Sequence, residues 1–306
     1  MSGVRDWDPT VPAVTGLMRL LRLREKGRPD AVRREVAQRT LRPASFAPPA
    51  RLDRHMQLSV ARRHGWPVYD VCPPATPTVH LVYLHGGAYI REISPGHWRA
   101  VVRIARTAGA HVVVPIYPLA PHGTARDTVR IAADIAADVI AEHGSDAVVT
   151  LGESAGGGLT LAAAQHLRDR HHVQPRRLVL VAPWLDLTLD DPRITAIEPL
   201  DAMLDREGLR LAGRMYAGEL PLDTPEASPL HGELRGLAPI TVFVGTHDLL
   251  NPDAHALAQR AKDADLSVEL IEQPGGQHVY PFLPTLTGRR ARRQLIEEIT
   301  RPQGQS

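Results

Sequence analysis

Apolar residues along this chain recur with two different periods, and the period changes near Leu52. Before that point the spacing is helical. Asp8-Pro9 reads as an N-cap with proline in the first turn; Val11, Val14, Met18 and Leu21 follow at intervals of three and four, and Gly27 is the expected stop. A second helix is predicted over 30–41, ended by Pro43 and the Pro48-Pro49 pair. Two helices are too few to bury a core of their own. They need another surface to cover.

Beyond Leu52, short β-like runs follow at 56–60, 68–71, 79–84, 110–116, 147–151, 177–182, 240–244 and 268–271. Val112-Val113-Val114 and Leu178-Val179-Leu180-Val181 are apolar without alternation, as strands covered on both faces are. Helical patterns at 96–107, 126–142, 155–170, 253–264 and 288–300 separate the runs. This alternation predicts an α/β protein with a mostly parallel central sheet and helices on both faces. Sites in such sheets lie beyond the carboxyl ends of the strands. The stretch between 182 and 240 breaks the alternation, with one helix expected near 202–216. A loop of that length without structure of its own is uncommon, so about 186–225 is read as a cap insertion. It would partner amino-terminal cap helices within 1–50, above a core spanning 51–306.

Composition narrows the class. The chain has 306 residues, 43% of them apolar, which excludes disorder as the default state. No run approaches the ~18 apolar residues of a membrane span. Cys72 is the only cysteine, so an intrachain disulfide and a thiolate metal cluster are excluded. The first ten residues carry Arg5, Asp6 and Asp8 and no apolar stretch, unlike a secretory leader, so a cytoplasmic protein is expected. The net charge of +2 is unevenly spread: thirteen arginines and Lys26 face six acids through residue 63, so the remainder is net negative. With no nucleic-acid motif beside it, the basic end reads as a solvated, arginine-coated helical face.

Chemistry concentrates in two glycine-rich turns. Leu151-Gly152-Glu153-Ser154-Ala155-Gly156-Gly157 is a Gly-x-Ser-x-Gly motif between an apolar strand and a helix. There a serine sits on a sharp turn that flanking glycines let close, and the helix amino terminus adds positive potential where an oxyanion develops. Leu84-His85-Gly86-Gly87-Ala88-Tyr89 lies at another strand's end. Acyl transfer needs backbone N–H donors aimed at the developing oxygen charge, and the amides of Gly86, Gly87 and Ala155 are the expected oxyanion donors.

With Tyr117-Pro118-Leu119-Ala120-Pro121 between these two motifs, the chain resembles an α/β-hydrolase of the hormone-sensitive-lipase-like (bacterial family IV type) esterases over roughly 81–284. The middle segment is similar to the family's Tyr-Arg-Leu-Ala-Pro-Glu, except that Pro118 replaces the arginine and His122 the glutamate. Glu153 stands where many members have aspartate. The resemblance implies a Ser-His-Asp triad with Asp248 as the acid, at the mouth of the 240–244 strand. Asp253 is a rival whose expected role is to cap the following helix. His278, thirty residues past Asp248 in Gly275-Gly276-Gln277-His278, is the expected base.

The expected activity is serine carboxylic-ester hydrolysis of short- to medium-chain esters. Lactone hydrolysis and acyl transfer by the same triad, and a ligand-binding homologue without catalysis, remain open alternatives. Tyr89, Trp184, Leu185, Met203, Met215 and Tyr216 are candidate pocket walls. No phosphate loop, dinucleotide fingerprint or His-Glu-x-x-His segment is present, so neither cofactor nor metal is expected. The expected partner is a small-molecule ester or lactone, with no nucleic acid and no membrane span; a homodimer stays open.

Overall fold

Eight strands form one sheet in the order β1-β2-β4-β3-β5-β6-β7-β8: β1 (Gln57–Arg63), β2 (Trp66–Cys72), β3 (His80–Leu84), β4 (His111–Pro115), β5 (Val148–Glu153), β6 (Arg177–Val181), β7 (Ile240–Gly245) and β8 (Val268–Gln273). This computed structural model describes residues 8–50, 52 and 55–302. Seven of the ten residues that bear on a leader, 1–7, and the segment bounds at 1, 51 and 306 lie outside the described residues. β1 and β2 pair antiparallel, as do β2 and β4, and all other pairs are parallel. β3, β5, β6 and β7 are buried along their whole length, which is why their sequences are unbroken apolar runs.

The period of two divides the core. Leu81, Tyr83, Val112, Val149, Leu151 and Val179 face α4 (Pro95–Ala108) and α10 (Leu286–Thr300) through Trp98, Val101, Leu295 and Ile299. Val82, Leu84 and Val113 face α5 (Ala125–His143) and α6 (Ala155–His166), while Leu178, Leu180 and Val242 face α6 and α9 (Asn251–Asp263). α4 is set by its ends: Ser94 and His97 form a reciprocal capping box, and Gly109 closes the helix at φ +61°. Trp98 on its buried face donates its indole N–H to Phe46 O at 3.1 Å; truncating it to alanine should cost about 3–5 kcal/mol.

Before the sheet come α1 (Thr10–Leu20), α2 (Leu23–Lys26) and α3 (Pro29–Leu41). The single helix expected up to Gly27 is thus two, because Arg22 turns left-handed at φ 53° and breaks the ladder. Asp8 accepts from Thr10 N at 2.8 Å and from Thr287 N at 2.7 Å, tying the start of α1 to the start of α10. Between β6 and β7 lie α7 (Ile194–Ile197) and α8 (Arg206–Ala217). α8 starts four residues later than its pattern suggests. Asp201 takes the amides of Met203 and Leu204 into a turn of its own, and Asp205 then caps α8 by accepting from Gly208 N. α3 packs on α8, and Arg24 of α2 reaches Glu198 at 2.9 Å. Among the described residues no helix is long and apolar enough to cross a membrane.

Candidate active site

The ends of β3, β5 and β6 lie level, with Leu84 paired to Gly152 and Glu153 to Val181. Ser154 follows β5 directly and opens α6. Its backbone is held at φ 55°, ψ −123°, a strained conformation for a residue with a Cβ. The surroundings determine it. Ser154 N donates to Val181 O at 2.9 Å, and Ser154 O accepts from Trp184 N at 3.0 Å as well as from Gly157 and Gly158. Gly156 lets α6 start this close to β3, because a Cβ there would run into the carbonyls of Leu84 and His85.

His278 and Asp248 arrive from the loops after β8 and β7. Asp248 is wholly buried and acceptor-only when ionised, so His278 donates from Nδ1, at 3.0 Å to Oδ2 and 3.1 Å to Oδ1. That leaves Nε2 bare, 3.0 Å from Ser154 Oγ, as the acceptor of the hydroxyl proton. Burial alone would push the imidazole's pKa down; the charge and hydrogen bond of Asp248, helped by Asp201 and Glu153, overcome it, and the net shift is upward.

The loop after β3 departs from expectation at one residue. The Gly86 amide donates to Glu153 Oε1, so it is already engaged. The amides of Gly87 and Ala155 take no acceptor among the described residues and flank Ser154. Gly87 sits at φ +122° with Arg91 O 2.8 Å from where a Cβ would be, a place only glycine fills without strain. Glu153 is held in turn by His97, whose Nε2 lies 3.1 Å away while its Nδ1 accepts from Ser94 N at 2.8 Å. Burial raises the Glu153 pKa, but the His97 contact and the Gly86 amide outweigh it and leave the carboxyl below its usual range. By position alone Glu153 stands only as a substitution for aspartate; its hold on Gly86 depends on side-chain reach across two loops, for which motif spacing carries no signal.

Asp253 corrects a second expectation. It lies inside α9 and does not cap it; its Oδ2 accepts from Leu185 N at 2.9 Å and Asp186 N at 3.0 Å. Burial pushes its pKa up to about 8, against the lowering effect of those two amides. It therefore braces the turn after β6, away from His278. Asp201 and Gln277, neither singled out in the sequence, brace the site itself. Asp201 Oδ2 accepts from Leu249 N at 2.9 Å, and Gln277 ties Ala202 N and Leu200 O to the histidine loop. Burial and the neighbouring Asp248 charge push Asp201 up to about 6.

Above Ser154 opens a cavity of about 710 Å³. Val32, Ile90, Met203, Leu204 and Leu209 give it apolar walls, and Lys26, Arg34, Glu35, Arg39 and Arg91 a charged mouth. Of the six expected wall residues only Met203 lines it. Tyr89 and Tyr216 are stacked at 3.5 Å with Trp184 5.8 Å from Tyr89, Leu185 is buried in the core that α6 and α9 form on the sheet, and Met215 packs against the stack's cluster. Aromatic stacking removes those side chains from the cavity surface.

Comparison with known proteins matches residues 81–282 to the family model described as alpha/beta hydrolase fold. An acetyl-hydrolase of Streptomyces hygroscopicus is 36% identical over 217 residues, covering 69% of this chain and 72% of that protein. A triacylglycerol lipase of Mycobacterium tuberculosis is 37% identical over 198 residues; the match covers 64% of this chain but only 41% of that longer protein. Among solved structures, an esterase from the bacterial hormone-sensitive lipase (HSL) family superposes with a TM-score of 0.81 at 28% identity, covering 97% of this chain and 99% of the other.

Proposed function

Because the chain belongs to the α/β-hydrolase fold family, among its hormone-sensitive-lipase-like esterases, and is a carboxylesterase-type hydrolase, we propose that Ser154, His278 and Asp248 are its catalytic triad and that its substrates are short- to medium-chain esters. The observation that carries the reading is the hydrogen-bonded series Ser154–His278–Asp248 beneath a cavity, with the Gly87 and Ala155 amides taking no acceptor among the described residues.

In this reading Ser154 Oγ attacks the ester carbonyl carbon as His278 Nε2 takes its proton, and Asp248 stabilises the imidazolium through Nδ1–H. The carbonyl oxygen becomes an oxyanion and accepts from the Gly87 and Ala155 amides, with the α6 amino terminus adding positive potential. Collapse breaks the bond to the alkoxy oxygen, which leaves with the proton from His278. Water then attacks the acyl-serine by the same path and releases the acid. Gly86, held by Glu153, keeps the loop in register rather than donating to the oxyanion. The cap helices α1–α3 and α8 cover the site and exclude water from it. A cavity of about 710 Å³ with a charged mouth suits acyl chains up to roughly eight carbons.

The test is a series of p-nitrophenyl esters from acetate to palmitate, run on wild type and Ser154→Ala. Activity should be highest on the shorter chains. Ser154→Ala should lower kcat by roughly 10⁵ or more with an unchanged circular dichroism spectrum. Full activity in the alanine variant would overturn the nucleophile, and a palmitate optimum the substrate class.

A further inference from the structure

At the edge of the sheet opposite Ser154, where β3 and β4 begin, three histidines meet. His80 opens β3, His111 opens β4 as its register partner, and His143 ends α5. One nitrogen of each lies within 4.8 Å of the others. His80 Nδ1 and His111 Nδ1 face each other at 3.1 Å, their rings nearly perpendicular. On the far side of His111, Nε2 donates to Asp70 Oδ1 at 2.9 Å, and Asp70 is itself held by Arg63 at 3.0 Å. An imidazole that donates from Nε2 presents a bare lone pair at Nδ1 when neutral. The Asp70 bond therefore aims a lone pair of His111 at His80.

Two arrangements satisfy that geometry: a proton on His80 Nδ1, or a cation between two lone pairs. Nitrogens 3.1 Å apart, each ~2.1 Å from one ion, subtend about 95° there, an angle ordinary for coordination by imidazole. A histidine ligand whose other nitrogen donates to a carboxylate is also the usual outer arrangement of a metal-bound imidazole. We propose that His80, His111 and His143 bind a borderline divalent cation, zinc foremost, with Asp70 as the outer carboxylate.

His143 is stacked on His80, with ring centroids 3.5 Å apart and planes 8° from parallel. Two stacked rings cannot both aim in-plane lone pairs at one ion, so binding turns the His143 ring out of the stack. Its side chain is partly exposed at the last residue of α5, and the turn gives up a 3.6 Å contact between Nε2 and the exposed Glu142. The ion would clamp two central strands to the end of α5, across the sheet from the reacting groups. Its role is structural. Gaps of 31 and 32 residues between the three histidines hide them from any local zinc motif.

Tag-free protein stripped with EDTA should take up one equivalent of zinc by isothermal titration at neutral pH, with a micromolar or tighter Kd, and its melting temperature should rise. His111→Gln or His143→Ala should weaken binding at least tenfold and cancel the thermal shift. Asp70→Asn should weaken it by about 10–100-fold. Cobalt added to the wild type should give visible bands of nitrogen coordination, a readout that needs no variant to fold. Stripped and loaded enzyme should hydrolyse a short ester at rates within twofold. Binding that survives unchanged in both histidine variants, or a cobalt spectrum no different from the aqueous ion, overturns the proposal. So does zinc that abolishes hydrolysis equally in wild type and His111→Gln, because the ion then sits at His278.

Discussion

The floor of the site and its roof are built from different material. The floor comes off strand ends: Ser154, Asp248 and His278 are all buried, and Ser154 is held by backbone hydrogen bonds to β6 and the turn after it. We read α1–α3 and α8 as the roof: α2, α3 and α8 line the cavity and α1 packs against α2; their attachments include partly exposed ion pairs such as Arg24–Glu198 and Glu35–Arg91, while Leu17, Leu20 and Leu41 lie open to solvent. Ion pairs of that kind contribute about 0–1 kcal/mol each. α1 and α2, which bury only Met18 between them, can therefore open locally at a free energy well below that of the sheet, while Ala212 and Tyr216 anchor α8 in the core. Chemistry needs fixed geometry and access needs movement, and this chain assigns them to separate layers. The layers join at 200–204, where Asp201 and Gln277 link the insertion to the loops that carry Asp248 and His278.

The sharpest test of the floor is Asp248→Asn. The amide keeps the size but can present N–H to His278 Nδ1, which favours the wrong tautomer and leaves no lone pair for the Ser154 proton. The comparable change in a serine protease costs ~10⁴ in kcat, and a loss of that order with modest change in KM is expected here. Glu35→Gln in the roof breaks contacts to Arg39 and Arg91; it should move KM and leave kcat within about twofold. Equal kcat losses in the two variants would erase the distinction between the layers.

Removing residues 1–42 attacks the roof wholesale. Leu209 of α8 and the cavity above Ser154 lose a wall supplied by Val32 and its neighbours. The expected loss in kcat/KM is about 10²-fold, the scale of a site loosened without losing its reacting groups. The melting temperature should also fall, because Asp8 and Thr10 cap the start of α10. A truncated enzyme with the full rate and the same ester profile would show that these helices are no roof.

What the sequence disclosed follows the same division. β3 to β7 were legible because strands covered on both faces are apolar almost throughout, β1, β2 and β8 only as short β-like runs bounded by turn residues, and the serine turn because its glycines are local necessities. Asp248 and His278 came from motif and order rather than from spacing. The engagement of Gly86 by Glu153, the clasp made by Asp201 and the His80–His111–His143 cluster join residues tens of positions apart, and no periodicity records them. Tyr89, Trp184 and Tyr216 fail as pocket walls for another reason. An aromatic in the right segment suits core and cavity equally, and only the stack decides.

The pH profile sharpens the floor further. In the proposed mechanism the base acts as neutral imidazole, so the rate should rise with pH. Asp248 raises the His278 pKa above its ordinary 6.5, and the midpoint of kcat/KM should lie above that value rather than at the 6–7 of an unperturbed histidine. Below the midpoint the rate should fall about tenfold per pH unit. The residual activity of Asp248→Asn should show a lower midpoint, because the partner charge is gone. A wild-type midpoint under 6.5 would mean that burial, not Asp248, governs the imidazole.

The smallest effect on rate concerns Asp253, a buried carboxyl that the proposed triad does not use. Burial raises its pKa from 3.8 to about 8 in the folded protein. The folded state thus holds the proton more tightly than the unfolded chain, so the contribution is fully present below about pH 4 and is lost as pH rises through 8. Both amides, Leu185 N and Asp186 N, donate to the same oxygen, Oδ2. Asparagine can offer one carbonyl oxygen to both and carries no charge to bury. Asp253→Asn should therefore keep kcat, differ least from the wild type in melting temperature at pH 5, and exceed it at pH 9 by several kcal/mol. Asp253→Leu should lose stability at both pH values, because two buried N–H groups are left without an acceptor. A wild type more stable than Asp253→Asn at pH 9 would mean that the ionised carboxylate is the form these amides need, and a large loss of kcat in that variant would move the acid of the triad from Asp248 to Asp253.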